Sequence, residues 1–313
     1  VSRPVDGGGR RAIPGFAAAV ALTAAALAAS PPPARAEDAA ALARGEYVFH
    51  AAGCKGCHTE KAEGAALLAG GREFKTPFGV FRAPNITPDP AHGIGAWSDA
   101  DFARALRRGV APDGSHYFPV FPYPSYAGMS DGDLRDLFLY LRSLPPAAKP
   151  DKPHDVRFPF GFRPLLAVWK WLYFEPAPFR PPPGADAELG RAAYLVHVLG
   201  HCGECHTPRD WLGGPERARA LAGTSSGPEG GPIPNITPDP ETGIGRWSDK
   251  DLEALFTIGA LPDGDFVGAG MGEVVENTTS RWSSADRKAV IRYLRSGAPV
   301  RNQVRRQPKS AGG

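Results

Sequence analysis

The sequence predicts an all-α protein of two tandem small helical domains joined by a proline-rich linker. Three observations carry this expectation. The chain repeats itself once, and each copy is about the size of one small domain. Apolar residues recur at helical spacing near the end of each copy, while strand alternation is weak throughout. The stretches between are rich in glycine and proline, 38 and 34 residues in a chain of 313. On this reading residues 1–36 are a leader, 37–144 the first domain, 145–185 the linker, 186–300 the second domain and 301–313 a basic tail.

The leader comes first. Arg10 and Arg11 precede an alanine-rich apolar run over 12–29, and Ala34-Arg35-Ala36 offers small residues at the two positions a signal peptidase reads. Pro14 and Gly15 interrupt the run and Pro31, Pro32 and Pro33 end it, which favours a cleaved signal peptide over a retained anchor. Cleavage near Ala36 is expected, giving a mature chain that starts near Glu37 in a bacterial periplasm. Without the leader the chain holds 32 basic and 32 acidic residues, so its nominal basicity belongs to the signal and nothing asks for a nucleic-acid partner.

Each copy then carries Cys-x-x-Cys-His, as Cys54, Cys57 and His58 and as Cys202, Cys205 and His206, and these are all four cysteines of the chain. Two thiols on one short turn can form thioethers to the two haem vinyl groups, and the following imidazole can bind the iron from the proximal side. A structural zinc site would bring its two knuckles closer together in sequence. A thioredoxin-like pair leaves the histidine unexplained at both places. A chain of this length does not need disulfide staples. The pattern predicts two covalently bound haem c groups.

The repeat extends well beyond the cysteines. "LARGEYVFHAAGCKGCHT" is answered by "LGRAAYLVHVLGHCGECHT", which aligns Arg44 with Arg191 and Tyr47 with Tyr194. "PNITPDPAHGIGAWSD" from Pro84 is answered by "PNITPDPETGIGRWSD" from Pro234, and Pro112-Asp113-Gly114 by Pro262-Asp263-Gly264. Asn85 with Thr87, and Asn235 with Thr237, either hold a turn or reach a haem propionate, and the turn is the expectation. Trp97 and Trp247 occupy equivalent places, where a buried indole either packs in the core or reaches a haem propionate.

Each copy closes on a YLRS helix. In the first, Ser130 and Asp133 read as a capping arrangement with a short acid, followed by Leu134, Leu137, Phe138 and Leu141 at i, i+3, i+4 and i+7. In the second, Ser283 and Asp286 lead into Val290, Ile291 and Leu294. Arg301, Arg305, Arg306 and Lys309 make the end locally basic, read as a solvated tail.

Between the copies, 145–183 contains eleven prolines and is expected to run mostly extended, as a stiff strap. Its apolar middle, "RPLLAVWKWLYFEP", is too short to span a bilayer. Trp169, Trp171, Tyr173 and Phe174 either fill the crevice between the domains or form a peripheral contact with a membrane or a partner.

With these motifs in hand, each copy resembles the class I cytochrome c fold, in which an N-terminal helix leads into the haem turn and crosses a C-terminal helix. The nearer resemblance is to the multihaem cytochrome subunits of periplasmic, membrane-associated alcohol, gluconate and sugar dehydrogenases and to related di-haem cytochromes. It is carried by "PNITPDPxxGIGxWSD", "FPYPSY" and "GEVVENTT" and covers nearly the whole mature chain. Those dehydrogenase subunits usually have three haem domains, whereas this chain has two haem motifs.

A low-spin carrier uses a second axial ligand, usually a thioether, and the chain has only two methionines. Met271 follows the Pro262-Asp263-Gly264 turn on what reads as a glycine-rich loop, and matches the resembling family's ligand-loop methionine. The first copy has Phe121 at the corresponding place, where the resembling subunits have methionine. Met129, His116 and an iron left open or water-bound are the three options there.

Both cysteine pairs are consumed by haem and no cysteine remains as a reactive iron ligand, so the expected role is that of a carrier and not an enzyme. The function expected is a periplasmic di-haem cytochrome that passes single electrons from a dehydrogenase partner to a respiratory acceptor. The competing reading is a haem enzyme acting on a small molecule at a weakly ligated first haem.

Overall fold

The computed structural model describes residues 33–227 and 230–304. The predicted signal peptide therefore lies almost entirely outside the described residues, as does the tail beyond residue 304. In chain order the first half holds α1 (Pro33–Ala51), α2 (Cys54–His58), β1 (Glu73–Thr76), β2 (Gly79–Arg82), α3 (Asp99–Arg108), α4 (Tyr123–Tyr126) and α5 (Asp131–Ser143). The connecting strap contributes β3 (Asp155–Val156) and α6 (Leu165–Tyr173). The second half holds α7 (Ala187–Tyr194) continued by a π-helical turn (Leu195–Leu199), then α8 (Gly203–His206), α9 (Asp249–Ile258), α10 (Ala269–Asn277) and α11 (Ser284–Ser296).

The helices form for local reasons that repeat. Ser98 and Ser248 open α3 and α9 with full capping boxes, each hydroxyl accepting from the backbone N–H three residues on while Asp101 or Asp251 reaches back. Gly109 and Gly259 end the same helices in the left-handed conformation. Where α1 crosses α5, Gly45 lets the backbones meet, because a Cβ there would stand 2.0 Å from the Asp136 carbonyl oxygen. Its counterpart in the second half is Ala192, fully buried.

One difference between the halves has a visible cause. Seven residues lead from Tyr47 to Cys54, but eight from Tyr194 to Cys202. The extra residue is absorbed in the π turn, closed by Gly200 N–H donating to Leu195 O at 2.6 Å. The haem-type turn therefore starts in register in both halves, with Gly53 at φ 66° and His201 at φ 37° before the first cysteine.

Among the described residues, the larger of two buried clusters runs through both halves, from Val48, Phe49, Leu137 and Leu141 to Leu195, Leu199, Leu252 and Val290, and a small second one joins Phe81 and Phe118 to Leu166 of α6. The contact between the halves is reciprocal. Tyr47 of α1 donates its hydroxyl to Asp286 and accepts from Ser283 N–H at the start of α11. Tyr194 of α7 donates to Asp133 at 2.5 Å and accepts from Ser130 N–H at 3.1 Å at the start of α5. Ser130 and Ser283 do cap their helices, accepting from Asp133 and Asp286 N–H at 3.0 Å. The two acids do not complete capping boxes as in α3 and α9; each bonds to the other half's tyrosine instead.

Three expectations need correction. The class is helical with a small sheet, because β1, β2 and β3 form an antiparallel three-stranded sheet in that order. β1 and β2 do alternate in burial, but four residues are too few for that alternation to stand out in the sequence. The strap is not mostly extended in its middle, since α6 supplies a nine-residue helix there and β3 pairs with β2. The start of the basic tail is docked and not free: Arg301 pairs with Glu241 at 2.6 Å and Asn302 Nδ2 donates to Ala222 O at 2.8 Å.

The reciprocal tyrosines make a test of the interface. Tyr194→Phe leaves the Ser130 N–H and the Asp133 carboxylate without their partner, and is expected to cost about 1–3 kcal/mol. Tyr47→Phe acts in the same way on Ser283 and Asp286. Urea denaturation checks both; unchanged midpoints would show that the hydroxyls do not hold the halves together.

Candidate haem sites

Each Cys-x-x-Cys-His segment folds as a single helical turn, α2 or α8, so the two thiols and the imidazole come from one short piece of backbone. Burial pushes the Cys54 and Cys202 thiols up to about 12, aided by Cys57 and Cys205 beside them. The thiols are therefore held in their neutral form.

The imidazoles are oriented identically. His58 Nδ1 lies 2.8 Å from Pro84 O, and His206 Nδ1 lies 2.8 Å from Pro234 O. A carbonyl can only accept, so each Nδ1 carries the proton and each Nε2 presents a lone pair. Burial lowers the pKa of both rings below the usual histidine value, which keeps them neutral. A neutral imidazole tied at Nδ1 is the arrangement expected of a metal-ligating histidine.

The carbonyl is placed by a built loop that also repeats. Asn85 Oδ1 accepts from Thr87 N–H at 2.9 Å and from its hydroxyl at 2.7 Å, and Asn235 does the same with Thr237. The turn-holding role expected of these residues is what the geometry displays. Their amide groups donate onward, Asn85 to Ala147 O at 2.8 Å and Asn235 to Val300 O at 2.7 Å. The chain leaving each C-terminal helix thus returns to brace the loop that orients the histidine.

A second brace was not singled out from the sequence. Leu68-Ala69-Gly70 and Leu221-Ala222-Gly223 occupy equivalent places, with Leu68 and Leu221 both at φ 61°. Their N–H groups donate to Thr59 and Thr207 hydroxyls at 3.1 Å, and their carbonyls accept from Ile86 and Ile236 N–H at 2.9 Å. Gly70 N–H donates to His58 O at 2.8 Å and Gly223 N–H to His206 O at 2.7 Å. A Cβ on Gly70 would lie 2.5 Å from the Pro84 carbonyl carbon, and one on Gly223 would lie 2.6 Å from that of Pro234. Only glycine fits between histidine turn and proline loop. The repeated Leu-Ala-Gly was the available signal, obscured because it falls at different distances from the two histidines.

In the first half these elements enclose a cavity of about 780 Å³. Cys54, Cys57 and His58 stand on its wall with mostly apolar neighbours, among them Ile94, Phe102 and Leu106. The size, the mostly apolar wall and the donor set suit a covalently attached haem. Trp97, Phe121 and the 2 % exposed Met129 also line it. His116 is not among the lining residues; its Nδ1 lies 2.9 Å from Lys170 Nζ on α6. In the second half Met271 lies in the first turn of α10 and not on a loop, since the stretch to Asn277 favours helix despite Gly270 and Gly272. It is partly buried.

The halves also touch each other's haem-type turns. Ser125 of α4 donates to Glu204 of α8 at 2.8 Å, and Tyr126 packs edge-on against His201 with ring centroids 5.5 Å apart. Conversely, Glu273 of α10 pairs with Lys61 and, at 2.6 Å, with Arg72, which in turn donates to Gly56 O of α2.

Residues 42–145 match the cytochrome c family. Over 256 residues the chain is 46% identical to a protein named diheme cytochrome c-type from Cereibacter sphaeroides, covering 80% of this chain and 84% of that one. It is 39% identical over 271 residues to the cytochrome c subunit of a quinone-type alcohol dehydrogenase from Gluconacetobacter polyoxogenes, covering 84% of this chain and 57% of the subunit. The gluconate 2-dehydrogenase cytochrome c subunit of Pantoea cypripedii is 38% identical over 262 residues, covering 81% and 58%. The chain thus spans little more than half the length of these dehydrogenase subunits.

The glycine brace predicts a difference between two substitutions. Gly64 has φ 71° and open space around its Cα, whereas Gly70 has φ 68° and the Pro84 loop against it. Gly70→Ala should therefore destabilise by about 1–3 kcal/mol more than Gly64→Ala, the usual cost of overpacking. Chemical denaturation of the two variants checks this; equal losses would remove Gly70 as the brace of the histidine loop.

Proposed function

The chain belongs to the cytochrome c family, and on that premise we propose that it is a periplasmic di-haem carrier of single electrons, working between a dehydrogenase partner and a respiratory acceptor. The observation that carries the proposal is the duplicated His–Pro bond, which supports two proximal ligand sites and not one. The proposed units are cytochrome c domains at 37–144 and 186–300, joined by the strap at 145–185, after removal of a signal peptide. Haem c supplies a one-electron ferric/ferrous couple when bound.

The chain's own residues then have distinct roles. Cys54 and Cys57, and Cys202 and Cys205, supply the thioether sulfurs. His58 and His206 present Nε2 to the metal while their Nδ1–H stays on a proline carbonyl, which fixes the ring plane and raises the basicity of the ligating nitrogen. Apolar residues keep water from the first site, and an apolar setting with a soft sixth ligand raises the reduction potential. Met271 is proposed as that ligand in the second half. Met129 is proposed in the first, supported by its place on the cavity wall, while His116 is engaged with Lys170.

Kinship with cytochrome subunits of dehydrogenases supports a dehydrogenase as electron donor. One observation favours the competing enzyme reading, namely Phe121 on the cavity wall at the place of a ligand-loop methionine.

Mass spectrometry of the exported protein is expected to give two haems per chain; one or none contradicts the proposal. Met271→Ala should lower the potential of one haem and leave the other unchanged in a redox titration, because losing a soft ligand disfavours the ferrous state. The reduced wild type should bind little carbon monoxide, and Met129→Ala should open one haem to it. Rapid binding by the wild type would favour the enzyme reading.

A further inference from the structure

We propose that the outward face of α6 docks the protein on an anionic bilayer surface, with the helix lying in the plane of the interface. The inward face of α6 is fully engaged. Leu166 is buried with Phe81 and Phe118, Trp169 Nε1 donates to Leu212 O at 3.1 Å, Lys170 Nζ to Gly109 O at 2.8 Å, and Tyr173 hydroxyl to Asp210 at 2.8 Å. The sequence-based patch is thereby divided, since Trp169, Tyr173 and Phe174 turn towards the two halves and Trp171 turns out.

The opposite arc has no polar side chain. Leu165, Val168, Trp171 and Leu172 are 44%, 53%, 82% and 50% exposed. A solvent-facing helix arc of a globular protein ordinarily carries charge, and a continuous apolar patch marks an interaction surface. Trp211, 80% exposed, stands in the 210–214 loop that Trp169 and Tyr173 hold beside α6, and Phe158, 92% exposed, lies in the turn before it.

Charge complementarity selects the occupant. From residue 155 to 175 the chain has three basic residues, Arg157, Arg163 and Lys170, with acids at the two ends only, Asp155 and Glu175. Arg157, Arg163 and Lys170 donate to the carbonyls of Pro77, His116 and Gly109, and Arg217 donates to that of Tyr173. The bonds of Arg157, Arg163 and Arg217 go to carbonyls and not to carboxylates, with Asp113 the acid felt by Arg163 and Glu175 and Asp210 at the C-terminal end of α6, while Lys170 faces inward and is not part of the rim. An apolar, tryptophan-bearing face with a cationic rim fits lipid acyl chains beneath anionic headgroups. A nine-residue helix is only about 13 Å long. Among the described residues no helix is long and apolar enough to cross a membrane, so contact in the plane is the mode left to α6. The inference does not depend on the haem assignments.

The test is co-sedimentation of the full haem-loaded protein with vesicles of mixed phosphatidylcholine and phosphatidylglycerol, against vesicles of phosphatidylcholine alone. Binding to the anionic vesicles is expected, weakened by salt and accompanied by a blue shift of tryptophan emission. The exposed double variant Val168→Glu, Trp171→Glu should bind at least about tenfold more weakly, as expected from withdrawing one large side chain from an apolar phase, with thermal unfolding unchanged. Failure of the wild type to bind anionic vesicles, or equal binding by wild type and variant, would overturn the proposal. So would loss of a dehydrogenase complex in the variant with vesicle binding intact.

Discussion

The bond from a histidine Nδ1–H to a proline carbonyl, made once in each half, sets what the surrounding structure must do. An imidazole taken out of water needs one nitrogen satisfied, and satisfying Nδ1 with an obligate acceptor decides the tautomer and leaves Nε2 as the only lone pair. The carbonyl must then be held still. Asn85 and Thr87 lock the loop, Gly70 permits its close approach to the histidine turn, and the chain beyond α5 braces it from outside. The same parts recur around Pro234, where the brace is the segment after α11. The conformational cost of two leucines at φ 61° is met at these places in both halves.

The halves are joined by more than the strap. A single buried core passes between them, each N-terminal helix bonds through a tyrosine to the other half's C-terminal helix, and each half's α4 or α10 lies on the other's Cys-x-x-Cys-His turn. Independent movement of either half would expose that core and break charged hydrogen bonds. On the proposed function this arrangement fixes the spacing of two redox centres, which a flexible tether between separate units would not do.

Much of this was legible in the residues. The Cys-x-x-Cys-His turns follow from three side chains at fixed spacing, and the C-terminal helices from apolar periodicity behind a serine cap. The pairing of Asn85 with Thr87 followed from the turn chemistry of its motif. Other features depend on contacts distant in sequence. Asp133 and Asp286 look like capping acids, and only the fold brings Tyr194 and Tyr47 to them. The proline carbonyls that orient the histidines are backbone atoms, invisible to any reading of side-chain type. α6 was hidden by the prolines on either side, although its own nine residues contain none, and the sheet was hidden by the shortness of its strands. Gly270 and Gly272 make Met271 look like a loop residue, yet it lies in the first turn of α10.

Two neutral histidines protonated at Nδ1, one half-buried and one buried, underlie both proposed sites, and nitrogen-15 NMR of the reduced protein across a pH titration tests them most directly. The result expected is two Nδ1–H resonances, assigned to His58 and His206, that exchange slowly with solvent and do not titrate through neutral pH. Either ring titrating near the ordinary histidine value, or carrying its proton on Nε2, would contradict the account.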